Sequence, residues 1–180
     1  MRGMDDEVLG LAHRRVRLAE PTPRWAELYA EEAERLRAAL GRWAPVIEHC
    51  GSTSVPGVPA KPILDILVGV PAPIDLRGVA DALAPLGYAH APDAGVPGHE
   101  VFGRGDPRTH LLHVVPLHGP AWDRMLRFRD ALRADPALAA EYATLKRALA
   151  REFPEDRPAY TDRKAGFIAR VLGEPSAPHA

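Results

Sequence analysis

The sequence predicts an α+β fold: a helix, then a mixed α/β centre, then a C-terminal helical group. Three observations carry this. Residues 20–41 place apolar side chains at helical spacing. Residues 44–70 hold two short apolar runs separated by a turn-rich loop, as strands do. From Pro120 onward, capping residues alternate with amphipathic stretches.

In order along the chain, residues 1–19 are mixed and charged and are expected to form a loosely ordered leader. "EPTPRWAELYAEEAERLRAALG" is an amphipathic helix with Thr22 as cap, Pro23 in the first turn and Gly41 as its end. Trp25, Leu28, Tyr29, Leu36 and Leu40 share one face. "APVIEHC" and "ILDILVGV" read as strands, and "IDLRGVADALAPLG" as a short helix capped by Asp75 and stopped by Gly87. "EVFGRGD" and "HLLHVVPL" read as neighbours in one antiparallel sheet. "PAWDRMLRFRDALRA" is a helix. Asp135 and Pro136 start the next, Pro154 and Pro158 break it, and "YTDRKAGFIARVLG" supplies a last one. A single domain over 20–173 with a tail at 174–180 follows.

Composition narrows the function. A net charge of −1 gives no bulk attraction to nucleic acid or to an anionic membrane. No apolar run reaches bilayer length and no signal peptide is visible, so a cytoplasmic location is expected. The lone Cys50 excludes an internal disulfide, and a strand-end cysteine of this kind reads as buried and inert. No motif sets an oligomeric state.

The chemistry concentrates in "EHCGSTSVPGVPAKPILDILVGV". Gly51 followed by Ser52, Thr53 and Ser54 after a strand lets backbone N–H groups approach a phosphate, with hydroxyls as further donors. Asp65 stands in an apolar strand, where a carboxylate needs a partner or a cation. Alternation puts Ile63, Asp65 and Leu67 on one face. Metal-assisted phosphoryl transfer usually uses two or three carboxylates, and Leu67 cannot supply the second. In "THLLHVV", His110 and His113 point to opposite faces, and His113 is open to three roles: metal ligand, proton carrier or satisfied core group. A zinc site from His49, His110 and His113 lacks the usual ligand spacing.

The basic residues number 23, of which only Lys61, Lys146 and Lys164 are lysine. Lysine persisting in so arginine-rich a chain suggests places where a compact charge is preferred, and the three are expected to converge on one anion. Arg129, Lys146, Tyr160 and Lys164 are candidates to face the sheet and hold phosphates or an acceptor. Tyr142, in line with Leu138, Leu145 and Leu149, reads as core, as do the three tryptophans.

These stretches, with "WAELYAEE", "FRDALR", "EYATLK" and "YTDRKAGFI", resemble the GrpB-like family in order and spacing over residues 16–172. The resemblance implies a nucleotidyltransferase-like fold: a small mixed β-sheet, flanking helices and a C-terminal helical group. It places Gly51 and Ser52 at the superfamily's Gly-Ser pair and Asp65 at its first carboxylate. Leu67 replaces the second, and His113 falls where a third could lie. The implied activity is transfer from an NTP or related phosphorylated ligand to a small-molecule acceptor. Ser52, Thr53, Ser54 and Lys61 would bind phosphate, and Asp65 with His113 would hold one Mg²⁺. Two rivals stay open: a non-catalytic binding or regulatory module, and ligase or acyltransferase chemistry on the same scaffold.

Overall fold

The structure, a computed structural model, describes residues 8–12, 15–92 and 98–175. Helix α1 (Arg24–Leu40) buries Trp25, Ala33, Leu36 and Leu40. The Thr22 hydroxyl accepts from the Arg24 N–H at 3.2 Å. Gly41 does not stop the chain: a 3-10 turn, Gly41–Trp43, follows, and left-handed Ala44 (φ 46) ends it.

Five strands form one mixed sheet. They are β1 (Val46–Cys50), β2 (Leu64–Val70), β3 (Ala89–His90), β4 (Glu100–Arg104) and β5 (His110–Pro116), in the order β1-β2-β5-β4-β3. Among the described residues only β2 and β5 run parallel, so the chain must cross over between them, and α2 (Leu76–Leu83) lies on that path. The sequence reading found the long strands but not two-residue β3, which is too short for any alternation to register.

Alternation along β2 sorts the two faces. Leu64, Ile66 and Val68, with Leu112 and Val114 of β5, pack against α1 and α2. One charged network is buried on that side. Glu32, 3% exposed, accepts from Tyr88 Oη at 2.9 Å and Arg104 at 2.7 Å, and Arg104 also reaches His110. The opposite face carries Cys50, Leu67 and Val115 beneath Trp122 of α3 (Pro120–Ala134).

Helix α4 (Pro136–Glu152) is capped by Asp135, whose carboxylate accepts from the N–H groups of Ala137 and Leu138. The single last helix expected is in fact two, α5 (Arg157–Asp162) and α6 (Ala165–Leu172). Pro158 sits in the first turn of α5, where its missing N–H has no partner to lose, and Asp156 caps that turn. Phe167 of α6 stacks on Tyr142 of α4, and both pack on Val55 and Val58 of the loop after β1.

The part of the leader that is described is tied down rather than loose. Gly10 N–H donates to Pro62 O, Val16 N–H to Pro154 O, and Ala19 pairs with Ala60. Leu9, Leu11 and Val16 are buried. The tail beyond residue 175 and the first seven residues lie outside the described residues. Among the described residues no helix is long and apolar enough to cross a membrane.

Candidate functional site

Register brings the site together. Cys50 at the end of β1 pairs with Asp65 at the start of β2, and Leu111 of β5 flanks Asp65 on the other side. Gly51 must then pass directly over the Asp65 side chain. Its φ is +65°, and a Cβ there would stand 2.5 Å from Asp65 Oδ2. Glycine is therefore required twice, for the left-handed backbone and for the close approach. The group Gly51 approaches in this structure is the carboxylate of Asp65.

The chain next makes a 3-10 turn, Ser52–Ser54. This turn divides the three hydroxyls predicted to act together. Ser52 meets the phenol of Tyr142, which also senses the Asp65 charge. Thr53 Oγ1 lies 2.9 Å from His49 Nε2, and Ser54 Oγ donates to Gly51 O at 2.6 Å. Thr53 and Ser54 are thus engaged within the turn and β1, and only Ser52 is placed towards α4.

The three lysines converge. Lys61 Nζ and Lys164 Nζ lie 5.8 and 4.4 Å from the centroid of the Tyr160 ring. Lys146, 2% exposed, donates to Pro59 O at 2.6 Å and lies 5.3 Å from the Tyr142 ring centroid. Burial, then the charges of Arg157 and Lys164, lower Lys61 to about 7. Burial and Arg157 bring Lys164 to about 8, against the pull of Asp65. Burial, then Lys164 and Lys61, push Lys146 well below its ordinary value. Among the described residues Asp65 is the one carboxylate that acts on all three. Tyr160 is fully buried, and its hydroxyl has no hydrogen-bond partner among the described residues.

Burial alone would raise the Asp65 carboxyl. The hydrogen bond to His113, with the charges of His113, Lys61 and Arg157, outweighs it and holds the group below its ordinary value. His113 Nε2 is 3.4 Å from Asp65 Oδ1, and its Nδ1 is 3.3 Å from His99 Nδ1. Burial, then His113, lowers His99 to about 4. These contacts form a chain, Asp65–His113–His99.

Arg129 lies outside this cluster. It donates to Glu48 at 2.7 Å, to His49 O at 3.0 Å and to Asp130 at 2.7 Å, which satisfies it as a strut between α3 and β1. Leu67 is fully buried under Trp122, so α3 covers the place of a second carboxylate. Among the described residues no three His, Cys, Asp or Glu side chains converge as a cation site.

Sequence reasoning missed Arg157, hidden among many arginines, and His99. His99 precedes Val101, the register partner of His113, by two residues, so alternation was the available signal.

Comparisons with known proteins give the chain's relatives and its fold. The profile of the family described as "GrpB protein" matches residues 15–174. "Glutamate-rich protein GrpB" of Alkalihalophilus pseudofirmus is 35% identical over 173 residues, covering 93% of this chain and 99% of that protein. The crystal structure of the conserved protein GrpB from Enterococcus faecalis superposes with a TM-score of 0.78 at 34% identity, covering 87% of this chain and 95% of that one. The Cid1 poly(U) polymerase, solved as an H336N mutant bound to MgATP, gives a TM-score of 0.51 at 11% identity over 73% of this chain and 44% of that one. That likeness is one of fold, and the fold is nucleotidyltransferase-like.

Proposed function

The chain belongs to the GrpB family, and from that premise we propose that it is a nucleotidyltransferase-like enzyme. It binds a nucleoside triphosphate or a related phosphorylated ligand among Lys61, Lys146, Lys164 and Arg157, beside Asp65. One observation carries the reading: the chain's only three lysines, from three separate segments, converge on a single carboxylate. Cations crowded at partly desolvated positions repel one another, and an anion of several charges is what relieves them.

In this reading the lysines and Arg157 neutralise the phosphates, and the Ser52 and Tyr160 hydroxyls add donors. Catalysis then rests on positioning and charge stabilisation. The acceptor, a small molecule, sits under the C-terminal helices. Its hydroxyl proton passes to Asp65, with His113 and His99 as the onward path. The donor set does not fit a resident pair of cations, because Leu67 is sealed under Trp122 and cationic side chains surround Asp65. No step here depends on a metal. A single Mg²⁺ carried by the phosphates would find Asp65 as its protein ligand, with His113 adjacent.

The sealed Leu67 also favours a second reading, a binding module without transfer activity. Calorimetry with ATP and UTP, with and without Mg²⁺, tests the site. Binding that weakens at least tenfold in Lys61→Ala and Lys164→Ala supports it, and no nucleotide binding under either condition overturns it. Pyrophosphate release across a panel of hydroxyl and amine acceptors, lost in Asp65→Asn, separates the enzyme from the module.

A further inference from the structure

We propose that the cavity behind the Ser52–Ser54 turn is a second binding site, for a small carboxylic acid with an apolar body. The cavity measures about 690 Å³, within the roughly 300–1,000 Å³ usual for small-molecule sites. Pro23, Trp25, Val55 and Pro56 give it apolar walls, and His49 and Arg133 are its main polar groups.

Arg133 sets the charge of the ligand. Its Nε donates to Ser54 O at 2.9 Å, which anchors the guanidinium at the cavity wall. Arg133 is itself exposed, and its two terminal nitrogens, open to solvent at the cavity mouth, make no hydrogen bond or ion pair among the described residues. The carboxylates that act on it, Asp130 and Glu48, are both hydrogen-bonded by Arg129. A guanidinium anchored through Nε and free at its outer fork is arranged for bidentate pairing with a planar carboxylate.

His49 limits the ligand to one negative charge. It is 6% exposed, with Nε2 against Thr53 and its ring stacked on Tyr29 at 4.6 Å. Burial, then the charge of Arg133, lowers it to about 4, so near neutrality it adds no second cation. One cation, a neutral imidazole and apolar walls suit a monoanion with a hydrophobic remainder. They do not suit a phosphate, whose second charge would go unmatched.

The rear site also touches the front one. Arg133 holds Ser54 O, Ser54 Oγ donates to Gly51 O, and Gly51 lies against Asp65. An acid seated on Arg133 therefore stiffens the turn that carries Ser52. The inference stands apart from the phosphate reading, since none of the three lysines lines this cavity.

The test uses the full chain in phosphate-free buffer, with benzoate as probe and benzamide as its neutral counterpart. The Trp25 indole N–H resonance is followed by NMR. Benzoate is expected to shift that resonance and benzamide to bind at least tenfold more weakly. Arg133→Gln should weaken benzoate at least tenfold, Arg133→Lys should fall between, and Lys61→Ala should leave it unchanged. Three results would overturn the proposal: no shift with benzoate, equal binding of benzamide, or loss of benzoate binding in Lys61→Ala. Should Arg133→Gln fail to fold, the contrast between benzoate and benzamide on the unaltered protein decides alone.

Discussion

Under α1 the buried Glu32 is met by Tyr88, Arg104 and Arg35, whereas under α4 the buried Lys146 meets the Tyr142 ring and, as its one hydrogen-bond acceptor among the described residues, the carbonyl of Pro59. Both clusters bury charge inside the fold. In the first, hydrogen-bonded groups of opposite charge offset the burial, which is how a structural network is built. In the second, cations outnumber their single carboxylate and titrate far from their ordinary values. Charge that the fold leaves unbalanced implies something from outside the chain.

The largest effect should come from the balanced side. Glu32→Ala strands Arg104 against the Tyr88 ring and should cost about 3–5 kcal/mol in urea unfolding. Nucleotide affinity, measured where the variant is folded, should barely change. A mild loss of stability would show that the two clusters are less different than their contacts suggest.

Gly51→Ala comes next, because a strained φ and the contact with Asp65 add together. About 1–3 kcal/mol of stability should be lost, and nucleotide binding should go with it.

Lys61→Met and Lys164→Met should move two quantities in opposite directions. Removing a crowded cation should raise the urea midpoint of the ligand-free protein. ATP binding should weaken about tenfold, or about 1.4 kcal/mol. A lysine variant that loses both stability and affinity would place these cations with Glu32, as structural.

The same contrast predicts a pH dependence. Lys61 at about 7 and Lys164 at about 8 both lie below the ordinary 10.5. Below about pH 7 they are charged in both folded and unfolded chains, and the folded state bears the full repulsion. As pH rises, the folded protein releases protons that the unfolded chain keeps, so ligand-free stability should climb from about pH 7 towards pH 10. Affinity for phosphate should fall over that window as the cations are lost. Thermal melts and calorimetry at matched ionic strength check both slopes.

Asp135→Ala should have the smallest effect. It removes the cap of α4 at a cost of about 1 kcal/mol and should leave the pH profile unmoved.

Much of this contrast could be read in the sequence. Alternation in "ILDILVGV" puts Asp65 opposite Leu64 and Ile66, and the scarcity of lysine picks out the three that meet. What escaped depended on rotation and on partners. A 3-10 turn swings Thr53 and Ser54 away from Ser52, and nothing in three consecutive hydroxyl residues states which way each will face. Arg129 looks like Arg157 in a chain this rich in arginine. Only the placement of Glu48 under α3 shows that the first is satisfied. Tyr142 reads as core from its spacing and is core, yet its hydroxyl reaches Ser52.

The tie between Lys146 and Pro59 has a consequence for biosynthesis. Asp65 of β2, and Lys61 in the loop just before it, are made well before α4, α5 and α6, which bring Lys146, Arg157, Tyr160 and Lys164. While those helices are undocked, Asp65 lacks most of its surrounding cations. The anion site therefore comes into being only when the C-terminal helices close onto the loop. A bound polyanion would in turn hold those helices in place by mass action. Hydrogen exchange in α4, α5 and α6 should slow together when the site fills, so occupancy acts as a lock on these later-made helices.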